Sequence, residues 1–124
     1  MIKIFGGDPQ KKENIKKIKE IKKLIKKKDY NIALKVSTQY LNSVPDNPDV
    51  LFIVGSIYYM KNRHKAALPY FERALQIGRY DPEVLLLKGR CHKFLGDTKK
   101  ANDCWQDILE VDPRNDEARR ELNL

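Results

Sequence analysis

The sequence repeats its small and bulky residues at a fixed interval of 34 positions. Alanines recur at Ala33, Ala67 and Ala101, and the same interval separates Gly55 from Gly89. Self-similarity at a constant period of roughly 20 to 50 residues is typical of chains that stack one supersecondary unit upon the next. The interval therefore predicts a repeat architecture. The length allows three copies, which is about the minimum for stability.

Apolar residues within each period follow helical spacing. In the first period they recur at steps of three and four residues: Ile15, Ile18, Ile21, Leu24 and Ile25. Such steps place them on one face of an amphipathic helix. Prolines, glycines and short polar runs separate the periodic segments. We predict a first helix that begins at Pro9 or Lys11 and ends at about Lys27, and further helices over about residues 30–43, 48–61, 65–77, 82–95, 98–111 and 116–124.

Local signals mark two of the predicted helix ends. Asp81 is a residue type that caps helix N-termini, and Pro82 suits the first turn that follows. Gly78 follows the fourth helix, where a left-handed glycine commonly ends a helix. We therefore expect Gly78 to adopt that conformation.

The order of landmarks within the period resembles the tetratricopeptide repeat (TPR) family. The middle period carries Leu51, Val54, Gly55, Tyr58, Ala67, Phe71 and Ala74, and the last carries Leu85, Gly89, His92, Ala101, Trp105, Ile108 and Pro113. The resemblance implies an all-α fold, a right-handed superhelical solenoid of three antiparallel helix pairs plus a capping helix. It places an N-terminal segment at 1–13 and a single TPR domain at 14–124, with repeats at about 14–47, 48–81 and 82–115 and the cap at 116–124.

The resemblance also implies how the repeats pack. Glycine at Gly55 and Gly89 lets the two helices of a pair approach closely, and Phe71 and Trp105 fill the wedge between helices. Trp105 is therefore expected in the core. The first repeat departs from the family pattern because Lys17 and Glu20 stand where large apolar residues are usual. Either its first helix is turned about its axis, or that helix packs against something else.

The positive charge is confined to the start of the chain. Residues 1–28 hold eleven lysines and three acidic residues, whereas residues 29–124 hold fourteen of each sign. Such a lysine run has two readings: a solvated helix face, or a surface for an anionic partner such as nucleic acid. No arginine or aromatic residue lies among the lysines of the predicted first helix, so nucleic acid would be bound through phosphates without sequence preference.

Several function classes lack a signal in the sequence. No apolar run approaches the roughly 18 residues of a membrane span, and no secretory signal begins the chain, which favours a cytoplasmic protein. Cys91 and Cys104 lack metal or redox spacing and are expected to be buried free thiols. His64 and His92 belong to no ligand cluster. We therefore predict no enzyme activity, no cofactor and no metal site.

The TPR resemblance implies a non-catalytic protein-interaction module, an adaptor or scaffold that binds an amphipathic or acidic peptide in a concave groove. The groove positions are Lys22, Lys26, Phe52, Ser56, Tyr59, Met60, Leu86, Arg90, Lys93 and Phe94. Chaperone-binding members grip a C-terminal carboxylate with lysine, asparagine and arginine. The matching positions here are Ile18, Lys22, Ile53, Glu83 and Leu87, so a chaperone tail is not expected. Self-association as a weak homodimer is a further alternative to a monomer.

Overall fold

The computed structural model describes residues 9–124 as seven α-helices with no strand. They are α1 (Pro9–Lys26), α2 (Tyr30–Ser43), α3 (Pro48–Met60), α4 (His64–Ile77), α5 (Pro82–Phe94), α6 (Thr98–Val111) and α7 (Asp116–Glu121). The all-α prediction is confirmed, and helix bounds agree to within about one residue except for the shorter α7. Of the predicted N-terminal segment 1–13, residues 1–8 lie outside the described part.

Each helix packs mainly on its neighbours in the chain. The pairs α1–α2, α3–α4 and α5–α6 stack in order, α4 joins the second pair to the third, and α7 lies against α6. Side chains of the first two pairs form one continuous core that extends to Val84 and Cys91 of α5. A second core lies between the third pair and Ala118 of α7. The architecture is a solenoid of three helix pairs closed by a short helix.

The turn inside each pair has the same geometry. Lys28, Asn62 and Gly96 follow one another at the 34-residue interval, and all have positive φ, at 63°, 60° and 82°. The amide after each of them donates to a carbonyl five residues earlier, as in Arg63 to Tyr58. This is the Schellman arrangement, which satisfies carbonyls at a helix end.

Close packing within a pair depends on residues of opposite size. A Cβ atom on Gly55 would lie 2.6 Å from Cε1 of Phe71, and one on Gly89 would lie 2.8 Å from the Trp105 ring. Both rings are buried. The first pair reverses the sizes at these positions, with Ile21 on α1 and Ser37 on α2, both fully buried. In each pair one helix therefore carries a large side chain at this contact and the other helix carries a small residue.

The position of Ile21 settles how α1 lies. Ile21 stands 34 residues before Gly55 and is buried at the equivalent place, so α1 keeps the orientation of the later repeats. Lys17 and Glu20 are exposed and form an ion pair, with Nζ and Oε2 3.8 Å apart. No repeat within the described residues precedes α1 to cover these positions. Ile15 is 47% exposed and stands two helical turns before Lys22, on the same face of α1.

The helix ends follow the capping rules, with one correction. Asn47, Asp81, Asp97 and Asn115 each accept a hydrogen bond from an amide of the first turn that follows. The expectation for Gly78 is wrong, because its φ is −108° and its ψ is 46°. The Gly78 amide donates to the carbonyl of Ala74, so the last turn of α4 closes without a left-handed residue.

Candidate functional site

The predicted groove positions form columns across the first helices of the pairs. Lys22, Ser56 and Arg90 share one register, and Lys26, Met60 and Phe94 share another, because each set recurs at 34 residues. Equivalent positions on stacked repeats lie on the same side of a solenoid. The fold thus carries the ten positions on α1, α3 and α5, on the side that the family register assigns to the groove.

Four of the ten positions surround one cleft. Tyr59 of α3 and Arg90, Lys93 and Phe94 of α5 line a cleft of about 400 Å³. Four residues outside the prediction complete its lining: His64, Trp105, Glu117 and Glu121. Trp105 is 1% exposed and sits in the core, as expected from the sequence. The cleft therefore combines an aromatic wall with two acidic and two basic side chains.

The basic side chains of the cleft are paired with the capping helix. Arg90 donates from Nε and Nη2 to the two carboxylate oxygens of Glu117, at 2.9 and 2.8 Å. Lys93 donates from Nζ to Glu121 at 2.6 Å. The hydrogen bond to Glu117 raises the pKa of the Arg90 guanidinium above its usual value, although burial opposes the shift. These two cations act as anchors for α7.

Three rings form a cluster at one end of the cleft. The His64 and Phe94 rings stack with centroids 3.9 Å apart, and the Tyr59 ring meets His64 edge-on at 5.4 Å. His64 is 7% exposed, and its Nδ1 atom has no hydrogen-bond partner within the described residues. Phe94 covers the histidine yet is itself 68% exposed. The cluster therefore presents an apolar ring to solvent above a buried polar group.

The remaining predicted positions differ in exposure. Met60 is 43% exposed. Phe52 and Leu86 are partly buried against the core, and Phe52 contacts the Phe71 ring with centroids 6.1 Å apart. Ser56 is partly buried, and its hydroxyl lacks a hydrogen-bond partner among residues 9–124. Part of the predicted site thus also stabilises the solenoid.

The groove positions of α1 carry unpaired charge. Lys22 and Lys26 are exposed, and neither forms an ion pair with any residue in the described part of the chain. Asp49 and Glu83 stand two helical turns before Ser56 and Arg90 and so share their groove face. They lie in the first turns of α3 and α5, are exposed and are likewise unpaired among the described residues. The unpaired charges of the groove are therefore positive on α1 and negative at the start of α3 and α5.

Other titratable groups lie in the third pair, away from the ring cluster. Burial raises the pKa of the Cys91 and Cys104 thiols to about 11. Burial, with the nearby Lys88, lowers the pKa of His92 below its ordinary value. His92 and Cys104 line a second cleft on α4, α5 and α6 that also holds carboxylates and lysines. Within residues 9–124 no group of three or more His, Cys, Asp or Glu side chains is placed to hold a metal ion.

Glu117 and Glu121 are the main contributors that the sequence prediction missed. Glu117 follows Glu83 by 34 residues, so the repeat register already placed it on the groove side. The sequence prediction gives residues 116–124 only as a capping helix and assigns no groove position there. Counting the 34-residue interval once more, from α5 into α7, would have identified Glu117 as a groove residue.

Comparison with known proteins identifies the repeat. A family model described as tetratricopeptide repeat matches residues 20–82, and another with that description matches residues 58–122. The Arabidopsis thaliana protein described as Protein CTR9 homolog is 31% identical over 102 residues, which is 82% of this chain. The aligned part is 9% of that protein's length.

Solved structures share the architecture. The first TPR of Spaghetti (RPAP3), bound to the HSP90 peptide SRMEEVD, superposes with a TM-score of 0.82 and 23% identity, covering 96% of this chain and 93% of that one. The Sgt2 TPR domain from Aspergillus fumigatus gives 0.76 and 22%, covering 99% and 81%. At this identity the likeness concerns the fold.

None of the seven described helices combines the length and hydrophobicity of a membrane span.

Repeats of this type generally act as non-catalytic modules for protein–protein interaction, and the fold is that of such an adaptor. With half of the chain matched by each of two family models and all three helix pairs in place, the chain belongs to the tetratricopeptide repeat family.

Proposed function

We propose that the protein is a non-catalytic adaptor that binds an amphipathic or acidic peptide segment of another protein in the groove of α1, α3 and α5. The observation that carries the proposal is the exposed apolar surface at the groove positions. Phe94, which lines the cleft beside Tyr59, is 68% exposed, and Met60, at the equivalent position of α3, is 43% exposed. Exposed aromatic and methionine side chains are enriched at protein-binding surfaces.

The charges near this surface suit a segment with both apolar and acidic residues. Lys22 and Lys26 are exposed and unpaired within the described residues. Opposite charges on a partner would guide association and fix its position. The similar structure that holds an HSP90 peptide supports peptide binding by this fold.

Selection from a displayed library of random peptides tests the proposal. We expect the enriched sequences to be amphipathic, with acidic residues over-represented. Replacing Phe52, Tyr59 and Phe94 together with alanine should weaken their binding by roughly tenfold or more, because buried aromatic anchors dominate such interfaces. Fluorescence anisotropy of labelled peptides measures the change.

A matched control separates the groove from general exposure. Ile77 and Tyr80 are each 48% exposed and lie outside the groove positions. Their joint replacement with alanine should leave peptide binding within about twofold of the intact chain, since surface changes away from contacts are usually small. Enriched peptides that bind the triple groove variant as well as the intact chain would refute the assignment.

We also propose that a chaperone C-terminal carboxylate is not the ligand. Of the five clamp positions, Glu83 carries the wrong charge, and Ile53 is 7% exposed and apolar. The peptide SRMEEVD with a free and with an amidated C-terminus provides the comparison within the same assay. Preferential binding of the free carboxylate would contradict the prediction.

Binding of a polyanion by α1 is a second candidate, supported by the exposure of its lysines. The eight lysines of α1 are exposed, and one of them, Lys17, is ion-paired. Changing Lys16, Lys19, Lys23 and Lys27 to glutamine keeps helix propensity similar and leaves the apolar residues in place. We expect the intact chain to retain DNA or RNA weakly at low salt, and the variant to lose most of this retention.

The salt dependence distinguishes the two candidates. Counterion release makes phosphate binding weaken steeply with salt, so weak retention should vanish near physiological salt in gel-shift measurements. Tight retention at that salt would make nucleic acid the leading candidate. The proposed monomer or weak homodimer and the cytoplasmic location remain predictions from the sequence.

A further inference from the structure

The charged side chains of the groove fall into two groups that differ in whether they are already paired. Arg90 and Lys93 on α5 are bound to Glu117 and Glu121 of α7 at 2.8 and 2.6 Å. The side chains of the two glutamates are 25% and 24% exposed. A partner carboxylate that approaches Arg90 therefore meets a cation that is already paired and a second carboxylate beside it.

The first repeat offers the opposite situation. Lys22 occupies the register of Arg90, and Lys26 that of Phe94. Both lysines are exposed and free of carboxylate partners in residues 9–124. Exposed Ile15 and partly buried Ile18 lie earlier on the same helix face. A partner carboxylate can pair here without displacing an internal one.

The unpaired acidic residues reinforce the difference. Asp49 and Glu83 lie in the first turns of α3 and α5 and are exposed without ion pairs in the described chain. Like charges placed close together oppose binding, and such repulsion is a common source of specificity. The second and third repeats therefore disfavour carboxylates of a partner in two places: beside Asp49 and Glu83 at the start of α3 and α5, and beside the paired Arg90 and Lys93.

We propose that the groove binds its partner in one direction, with the acidic residues of the segment on α1 and an uncharged apolar stretch over Tyr59, His64 and Phe94. The inference rests on the proposed function and specifies its ligand. The partner is a segment whose carboxylates are confined to one end. Helix α7 sets this preference because its two glutamates occupy the cations that would otherwise attract acidic residues to the third repeat.

Two labelled probe peptides test the direction. The first is amphipathic, with glutamates at one end only and leucine and phenylalanine at the other. The second has glutamine in place of every glutamate. The ratio of their affinities for the intact chain, measured by anisotropy, reports the preference for acidic residues. If both probes bind the variant with alanine at Phe52, Tyr59 and Phe94 more weakly than the intact chain, then both bind in the groove.

Two variants of equal charge locate that preference. Changing Lys22→Gln and Lys26→Gln should lower the affinity ratio by about threefold to tenfold, the range expected for two exposed ion pairs. Changing Lys16→Gln and Lys23→Gln removes the same charge from α1 outside the groove positions, and should alter the ratio by less than about twofold. An equal loss in both variants would overturn the inference, because it would show a general effect of charge.

A third variant tests the role of α7. A photo-crosslinker at the glutamate end of the first probe should label α1 of the intact chain, and labelling of α5 there would refute the direction. Changing Glu117→Gln and Glu121→Gln frees the cations of α5, so in this variant the same probe should label α5 as well as α1. Labelling of α1 alone at an unchanged melting midpoint would overturn the role of α7, and the intact chain still tests the direction if the variant melts early.

Failure of the proposed function would look different. If neither probe binds, or if both bind the triple alanine variant unchanged, groove binding itself is wrong. If both probes bind the groove with equal affinity, groove binding stands and the acidic preference is wrong. The two results are therefore separable in one set of titrations.

Discussion

Replacing Trp105 with alanine should lower the free energy of unfolding by roughly 3–5 kcal/mol, the range for truncating a large buried aromatic residue. Trp105 is 1% exposed, and its ring lies against Gly89 so closely that even a Cβ atom there would overlap it. Trp105 packs in one cluster with Ala118 of α7, so collapse of the third pair into the cavity would disturb that contact. Such a loss is a large part of the stability of an ordinary domain, about 5–15 kcal/mol.

Urea unfolding followed by circular dichroism measures the effect, because Trp105 is the only tryptophan and its fluorescence disappears with the substitution. Trp105→Phe is the matched control, since Phe71 fills the equivalent place in the second pair. It should cost less than half as much as alanine. An alanine variant with an unchanged midpoint would show that the third pair does not depend on this ring.

Both cysteines should react with a thiol reagent such as dithionitrobenzoate at least about 100-fold more slowly in the folded protein than in the unfolded chain. The thiolate is the reactive species. Burial raises the pKa of both thiols to about 11 from 9.0, which lowers the thiolate fraction at neutral pH by about two orders of magnitude. Limited access of the reagent to buried sulfur slows the reaction further.

The urea-unfolded chain is the reference for this measurement, and each single Cys→Ser variant assigns the rates. Rapid labelling of either residue under native conditions would contradict the burial of the third pair. Slow labelling would also argue against a redox role, because redox-sensing cysteines are accessible and have low pKa values. The expected result fits the sequence interpretation of Cys91 and Cys104 as buried free thiols.

The helical repeat was predictable because its signals are local. Spacing at three and four residues, prolines at first turns and capping residues such as Asp81 act within one helix, so they appear in the sequence directly. Gly78 was misjudged because several geometries can end a helix. The one adopted depends on how Gly78–Asp81 leads into α5, and a glycine permits a left-handed conformation without requiring it.

The first repeat shows what the register conveys. Lys17 and Glu20 left two alternatives open, a first helix turned about its axis or one that packs against something else, yet Ile21 and Ser37 at the positions of Gly55 and Phe71 already indicated the usual orientation. The two residues exchange the roles of bulk and space, so the pair closes in its usual orientation. Lys17 and Glu20, taken alone, left the orientation of α1 open, whereas Ile21 and Ser37, taken as a pair, indicated it correctly.

The candidate site was harder to foresee than the fold. Sequence register placed Arg90 and Lys93 on the groove side, but their partners depend on where the six-residue α7 comes to rest. That placement depends on Ala118 entering the core, which is a tertiary contact. The His64–Phe94 stack likewise joins residues 30 positions apart, from different helix pairs. Contacts between pairs of this kind leave little periodic trace in the sequence.

The small number of buried residues in α1 has a consequence for local unfolding. Helix α1 has one buried residue, Ile21, whereas α3 has six. Few buried contacts mean a small free energy of local opening, so we expect α1 to open more readily than α3. The unpaired Lys22 and Lys26 stand on this sparsely buried helix. A partner that binds these lysines therefore stabilises α1 against local unfolding. The free energy of ordering the first repeat lowers the observed affinity.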